Sequence, residues 1–161
     1  MKVTGTHHLT IFMTFKNFNL GEPILRALQE KGYNIPTPVQ QQTIPHVLSG
    51  KDVLACAQTG TGKTAAFCLP ILEKLSSAKP STQIKALILT PTRELAMQVY
   101  DNLKLYGKNL RINSVVVYGG VSQFHQVKDL RRGANIVVAT PGRLLDLIDQ
   151  RIINLSALEI L

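Results

Sequence analysis

The chain has 161 residues, of which 45% are hydrophobic and 17% charged. This length fits one domain, the apolar fraction excludes wholesale disorder, and no apolar run approaches the ~20 residues that span a bilayer. Lys and Arg outnumber Asp and Glu by 18 to 10, and the net charge of +8 favours a polyanionic partner without identifying one.

Residues 1–14 are predicted to be a flexible extension that precedes the folded part. Their apolar patch, Leu9 to Met13, is too short for the apolar core of a secretory signal. Two cysteines, Cys56 and Cys68, cannot build a disulfide framework, and both sit in apolar runs, so we expect small core residues. Together these features predict a cytoplasmic protein without a membrane partner.

Short apolar runs alternate with amphipathic runs along the rest of the chain. The amphipathic runs, typical of helices, are Glu22–Lys31, Val39–Leu48, Lys63–Ser76, Pro91–Tyr106, Val121–Arg131 and Gly142–Gln150. The apolar runs, typical of strands buried on both faces, are Val53–Ala57, Ala86–Thr90, Asn113–Tyr118 and Asn135–Ala139. This alternation predicts an α/β domain with an open parallel sheet and helices on both of its faces.

The segment Ala57–Thr64 follows a predicted strand, opens a predicted helix and matches the phosphate-loop pattern. Gly60 and Gly62 would let the backbone approach a phosphate closely, with several N–H groups converging on it. Lys63 would reach the β- and γ-phosphates, and the Thr64 hydroxyl would bind Mg²⁺. The segment predicts binding of a nucleoside triphosphate, but it does not separate a kinase, a GTPase, a transporter ATPase and a helicase.

Two later segments, Leu89–Arg93 and Ala139–Arg143, share one pattern: the end of a strand, Thr-Pro, and an Arg two residues later. Because Thr is a good N-cap and Pro suits the first helical position, we expect a helix directly beyond each strand. Carboxyl ends of parallel strands share one edge, where ligands bind. An Arg in a first turn opposes the helix dipole unless an anion binds there. We therefore predict a phosphate track; the alternative is a simple helix start with solvated Arg93 and Arg143.

These residues resemble the DEAD-box family of ATP-dependent RNA helicases, and particularly its small bacterial RhlE-like members. The resemblance runs from about Phe15 to Leu161, and Ala57, the one departure from the general phosphate-loop pattern, is usual in this family. Five motifs follow in the family's order: Gly32–Gln40 as the Q motif, Ala57–Thr64 as motif I, Pro91–Ala96 as motif Ia, Tyr118–Gly120 as the GG motif and Thr140–Arg143 as motif Ib. The resemblance implies that residues 15–161 are part of an N-terminal RecA-like, P-loop NTPase domain.

The resemblance implies a site for ATP and Mg²⁺. Gln40 would pair with the adenine through its carboxamide, and Phe15 would stack on the base; the alternative for Phe15 is a core aromatic beside Phe18. Lys63 and Thr64 would be the catalytic residues, with Thr64 also serving Mg²⁺. The phosphate-binding residues would be Gln58, Thr59, Gly60, Thr61, Gly62, Lys63 and Thr64.

The resemblance also implies that RNA binds along its sugar-phosphate backbone, without sequence preference and with steep salt dependence. It implies no particular protein partner. The RNA-binding residues would be Pro91, Thr92, Arg93, Gly119, Gly120, Thr140, Pro141, Gly142 and Arg143.

The family's motif II, Asp-Glu-Ala-Asp, has no counterpart in the sequence, and Leu158–Leu161 resembles the start of the strand that leads to it. Those acids help to hold Mg²⁺ and to position the attacking water. We therefore expect the 161-residue chain to bind ATP and RNA but to hydrolyse ATP negligibly, whereas the whole protein would couple hydrolysis to local RNA unwinding. The alternatives are a non-catalytic nucleotide- or RNA-binding fragment and another P-loop ATPase, such as a DNA helicase.

Overall fold

The computed structural model describes residues 13–161, so most of the predicted extension 1–14 lies outside the described residues. A 3₁₀ turn at Phe15–Phe18 precedes the regular elements. The helices are α1 (Glu22–Glu30), α2 (Pro38–Leu48), α3 (Lys63–Ser77), α4 (Arg93–Tyr106), α5 (Phe124–Arg131) and α6 (Pro141–Asp149). The strands are β1 (Ala86–Leu89), β2 (Ser114–Val117) and β3 (Ile136–Ala139). None of the described helices combines the length and the hydropathy that crossing a membrane would require.

The three strands form a parallel sheet in the order β1-β3-β2. In the central strand, Ala139 lies opposite Leu89 on one side and Val117 on the other. These are the last residues of the three strands, so all three strands end at the same height in the sheet. The segments that follow them therefore leave from one edge of the sheet. The predicted open parallel sheet is confirmed, and its register brings the segments after the strands to a common edge, as expected.

Alternate residues of β3 enter two hydrophobic cores. Ile136 and Val138 pack in a core with residues of α3 and α4, whereas Val137 and Ala139 pack in a second core with Leu147 of α6. All four strand residues have 0% exposure. Because both faces of the sheet are covered, β3 is apolar throughout rather than alternating.

The predicted strand Val53–Ala57 is wrong, because residues 51–58 have no regular secondary structure. Leu54 is 95% exposed. The side of β1 that faces away from β3 contacts Ile160 instead, whose carbonyl accepts a hydrogen bond from the Leu87 N–H at 2.9 Å. No strand of the described chain lies beside residues 53–57. A high β-propensity does not form a strand without a neighbour that satisfies its backbone groups.

The two cysteines differ in burial, because one lies in a packed helix and the other in the unpaired segment 53–57. Cys68, on α3, is fully buried, whereas Cys56 is exposed together with the unpaired segment around it. The expectation of a core residue is confirmed for Cys68 and wrong for Cys56.

Two helices begin later than the sequence predicts. The N-cap of α4 is Thr92, whose hydroxyl accepts a hydrogen bond from the Leu95 N–H at 3.2 Å, so the helix starts at Arg93 rather than at Pro91. Thr90 is buried, and its hydroxyl donates to the Thr92 carbonyl at 3.2 Å. By contrast, α6 begins at Pro141 directly after Thr140, as the Thr-Pro pattern predicts. Helix α5 starts at Phe124, so residues 121–123 belong to the preceding loop.

Candidate functional site

Three segments meet at the carboxyl edge of the sheet: residues 90–93 after β1, 118–121 after β2 and 140–143 after β3. Gly119 and Gly120 form an exposed turn between β2 and α5, and Gly120 has a φ of +80°. A Cβ atom built on either glycine would meet no heavy atom within 4 Å. The space in front of this turn is therefore open, and an extended ligand can approach its backbone.

Arg93 links the first segment to the second. Its guanidinium carbon lies 4.8 Å from the centroid of the Tyr118 ring, which is a cation–π contact. The residue is exposed at the start of α4, and none of the ion pairs within residues 13–161 involves it. Because stacking engages the face of the guanidinium, the N–H groups in its plane stay available to an anion.

Arg143, in the third segment, has a different environment. Its side chain is only 11% exposed. Nη1 donates to Gln126 Oε1 at 3.0 Å and Nη2 to the Val121 carbonyl at 2.9 Å, while Nε lies 3.6 Å from Asp146 Oδ2. The structure thus turns this guanidinium toward protein groups, and its direct contact with RNA stays a prediction.

Gln126 is the residue of this edge that the sequence analysis missed. Its exposure is 8%; Nε2 donates to the Tyr118 carbonyl at 3.2 Å, and Oε1 accepts the Tyr118 N–H at 3.2 Å. The available signal was a polar residue on the apolar face of a helix, four residues before the buried Leu130. Such a residue needs hydrogen-bond partners, which here come from another segment of the site.

The phosphate-loop segment has the backbone that its sequence predicts. Gly60 and Gly62 have φ values of +82° and +89°, in the left-handed region that favours glycine. Gly62 is the N-cap of α3, so Lys63 and Thr64 are the first two helical residues. The free N–H groups and the positive end of the helix dipole at this position favour an anion.

The loop is also held by side chains of its own residues. The Lys63 ammonium donates to the carbonyl of Ala57 and, at 2.6 Å, to that of Gln58. The Thr61 hydroxyl donates to the same Gln58 carbonyl at 2.7 Å. These contacts keep the ammonium beside the loop, where phosphate oxygens could replace the carbonyl groups as its partners.

Gln40 joins the start of α2 to the loop. It is 5% exposed; Oε1 accepts the Thr37 N–H at 2.9 Å, and Nε2 donates to the Gly62 carbonyl at 3.1 Å. A Cβ atom on Gly62 would lie 2.4 Å from Gln40 Nε2, so this close approach requires glycine. The structure thus brings the predicted adenine-reading residue to the phosphate loop, while adenine binding itself stays a prediction.

Phe15 lies in the hydrophobic core, with 4% exposure. Its ring packs edge-to-face against Phe18, with centroids 6.1 Å apart and planes at 69°. This packing is the alternative considered for Phe15 from the sequence. Stacking of Phe15 on adenine stays a prediction.

Thr64 is the side chain to which the sequence resemblance assigns Mg²⁺. Within residues 13–161, no three His, Cys, Asp or Glu side chains cluster as a metal site would require.

Comparisons with known proteins agree with this geometry. A family model described as DEAD/DEAH box helicase matches residues 37–161. The chain is 46% identical to the DEAD-box ATP-dependent RNA helicase CshA of Bacillus subtilis, over 89% of this chain and 29% of that protein. It is 49% identical to the ATP-dependent RNA helicase DeaD of Escherichia coli, over 91% of this chain and 23% of that protein.

A solved structure has the same fold. The crystal structure of a DEAD box protein from the hyperthermophile Methanococcus jannaschii superposes with a TM-score of 0.83, at 41% identity, over 91% of this chain and 40% of that one. The chain therefore spans less than half of the archaeal protein and less than a third of the two curated relatives.

Proposed function

Because this chain belongs to the DEAD/DEAH box helicase family, we propose that it is the ATP- and RNA-binding part of an ATP-dependent RNA helicase. The structural observation that carries its nucleotide-binding half is the left-handed glycine loop at Gly60 and Gly62, which opens directly into Lys63 and Thr64 at the start of α3. The relatives are named RNA helicases, which favours RNA over DNA as the partner. An RNA substrate also agrees with the predicted cytoplasmic location.

The phosphates of ATP would bind at the loop. Main-chain N–H groups of residues 58–64 would donate to them, and Lys63 would exchange its carbonyl partners for phosphate oxygens. The Thr64 hydroxyl would hold Mg²⁺. When bound with the nucleotide, Mg²⁺ would supply positive charge that offsets the negative charge of the phosphates. The residues fit this complex because the loop offers donors and a positive dipole, but no carboxylate that would repel phosphate.

Adenine would be read by Gln40. A glutamine carboxamide has two N–H donors and an oxygen that accepts two hydrogen bonds. The contacts with Gly62 and Thr37 use one donor and one acceptor position. One donor and one acceptor position remain, which is the pair that the edge of adenine requires. Base recognition would thereby be linked directly to the backbone of the phosphate loop.

RNA would lie along the carboxyl edge of the sheet, across the segments 90–93, 118–121 and 140–143. The exposed turn at Gly119 and Gly120 lets a strand approach without a side chain between them. Arg93 supplies a cation that no carboxylate pairs with among the described residues. Contacts of this kind recognise the sugar-phosphate backbone, so binding would be independent of sequence and sensitive to salt.

The nucleotide half of the proposal is tested with a fluorescent ATP analogue and Mg²⁺. The wild-type chain should bind the analogue, and unlabelled ATP should displace it more effectively than GTP. Lys63→Ala should weaken binding by about tenfold or more, because a charge-assisted phosphate contact is lost. Lys74→Ala is the matched control, since it removes a lysine from the other end of the same helix. Equal binding by the Lys63 and Lys74 variants, or a preference for GTP, would contradict the proposal.

A further inference from the structure

We propose that Gln126 is a positioning residue for RNA binding, which holds the turn at Gly119–Gly120 and the Arg143 guanidinium in one fixed arrangement. The inference rests on the proposed function and assigns a role to a residue that lies outside the five motifs. It would act through the backbone of the turn rather than by touching RNA, because its side chain is buried and its carboxamide oxygen already accepts hydrogen bonds from Tyr118 and Arg143.

The first observation is how Gln126 binds the start of the turn. Strand β2 ends at Val117, and Tyr118 is the next residue. The Gln126 carboxamide accepts the Tyr118 N–H and donates to the Tyr118 carbonyl, both at 3.2 Å. Both main-chain groups of Tyr118 are thus paired as a neighbouring strand would pair them. The ordered backbone of β2 is extended by one residue, up to the first glycine.

The second observation is how Arg143 binds the end of the turn. Its Nη2 donates to the Val121 carbonyl at 2.9 Å, and its Nη1 donates to Gln126 Oε1 at 3.0 Å. The two glycines therefore lie between a residue held by Gln126 and a residue held by Arg143. Since Gln126 and Arg143 also bind each other, the contacts form a closed ring around the turn.

This ring has a physical consequence for binding. Two consecutive glycines have more backbone freedom than any other pair of residues, and a ligand that ordered them would bear the entropic cost. A turn fixed in advance avoids most of that cost. Tyr118 also carries the ring on which Arg93 stacks, so Gln126 would influence all three RNA-facing segments at once.

Two substitutions separate positioning from simple core packing. Gln126→Leu keeps the volume but removes the three hydrogen bonds that Gln126 makes in the ring, two with Tyr118 and one with Arg143. Gln126→Glu keeps an acceptor for Arg143 and for the Tyr118 N–H, but it replaces the donor to the Tyr118 carbonyl with a carboxylate oxygen. Gln123→Leu is the matched control: it removes another hydrogen-bonded glutamine, three residues earlier, whose partner is Gln150 at the end of α6.

The experiment is an NMR titration of the ¹⁵N-labelled 161-residue chain with a 12-nucleotide oligouridylate, followed at the amides of Gly119, Gly120 and Gly142. Gln126→Leu should weaken RNA binding by about fivefold or more, and Gln126→Glu by about twofold, since it keeps part of the ring. Both should shift the two glycine amides of the turn before RNA is added. Gln123→Leu should do neither, and all three variants should bind the fluorescent ATP analogue as the wild type does.

Each other outcome has a distinct meaning. If the wild-type chain does not bind the oligouridylate, the proposed RNA function fails, and this inference fails with it. If the wild type binds and Gln126→Leu binds equally well, only the positioning role is overturned. If either Gln126 variant loses ATP-analogue binding in parallel with RNA binding, Gln126 supports the fold in general, and the positioning role is again overturned.

Discussion

Two regions of this molecule have the same sequence pattern, a short apolar run followed by a turn and a helix, but they are built in different ways. In the β3–α6 region, Ile136–Ala139 is fully buried and pairs with a strand on each side. In the region before α3, the apolar run 53–57 has no regular structure, and Leu54 is 95% exposed. A strand therefore depends on its neighbours more than on its own propensity.

The difference extends to the proposed binding sites. The RNA-facing edge takes its geometry from the sheet register and from the ring of contacts around the glycine turn. The phosphate loop instead depends on a few side-chain contacts, those of Gln40, Thr61 and Lys63, and on the left-handed backbone of its two glycines. Single substitutions at the loop should therefore act through backbone strain and lost side-chain contacts, whereas substitutions in the sheet should leave cavities in its two cores.

The largest expected effect comes from a matched pair of leucines at the second positions of two predicted strands. Leu87 in β1 is 4% exposed, and Leu54 is 95% exposed. Leu87→Ala should lower the free energy of unfolding by about 2–5 kcal/mol, because it leaves a cavity in the core. Leu54→Ala should change it by less than about 0.5 kcal/mol. Urea unfolding followed by circular dichroism measures both. Similar losses for the two variants would show that residues 53–57 are buried in solution.

A second matched pair tests the phosphate loop. Gly60 and Gly62 both have a positive φ, but a Cβ atom on Gly60 meets nothing within 4 Å, whereas one on Gly62 lies 2.4 Å from Gln40 Nε2. Gly60→Ala should cost about 1–2 kcal/mol of stability, from the left-handed backbone alone. Gly62→Ala should cost about 1 kcal/mol more, because it also displaces the end of the flexible Gln40 side chain.

Urea unfolding again provides the measurement, and a double variant provides the control. Adding Gln40→Ala to Gly62→Ala removes the clash but keeps the backbone strain, so it should recover part of the loss. Equal costs for Gly60→Ala and Gly62→Ala would show that the contact between Gln40 and Gly62 does not constrain the loop.

Much of the fold could be predicted from the sequence, because apolar runs and helix caps are visible in short stretches of residues. Three of four predicted strands are present, and both faces of the sheet are covered. The strand 53–57 was predicted wrongly because the pattern of a segment does not reveal which strands lie beside it. The start of α4 was missed because Thr90 and Thr92 are equally good caps by residue type, and only the buried position of Thr90 distinguishes them.

Only part of the candidate site could be predicted from the sequence. The loop glycines, Lys63 and the common edge follow from motif spacing and from parallel topology. The ring of contacts does not, because Gln126 and Arg143 are 17 residues apart and meet only through the packing of α5 against α6 and β2. The inward orientation of Arg143, in contrast to the exposed Arg93, could not be inferred from two copies of one motif.

The effect that is smallest at neutral pH concerns stability at alkaline pH, and it contrasts the two cysteines. Burial raises the pKa of the Cys68 thiol far above its ordinary value, and burial, followed by the neighbouring Tyr33, raises the pKa of Tyr106. The folded state therefore keeps both protons at a pH at which the unfolded chain releases them. The contribution of both groups is fully present below the unfolded thiol pKa of ~8.5. As pH rises it should be lost first through Cys68 and, above the unfolded tyrosine pKa of ~10, through Tyr106, by up to about 1.4 kcal/mol per pH unit for each group.

Urea unfolding at pH 7.5, 9 and 10 would measure this loss. Cys68→Ala should be less stable than the wild type at pH 7.5, because it removes buried volume, but it should lose less stability between pH 7.5 and 10. Cys56→Ala should follow the wild type at every pH, since Cys56 is exposed in the unpaired segment. If instead Cys56→Ala flattened the pH dependence, the thiol of residue 56 would be the buried one, and the contrast between the paired sheet and the unpaired segment 53–57 would not hold in solution.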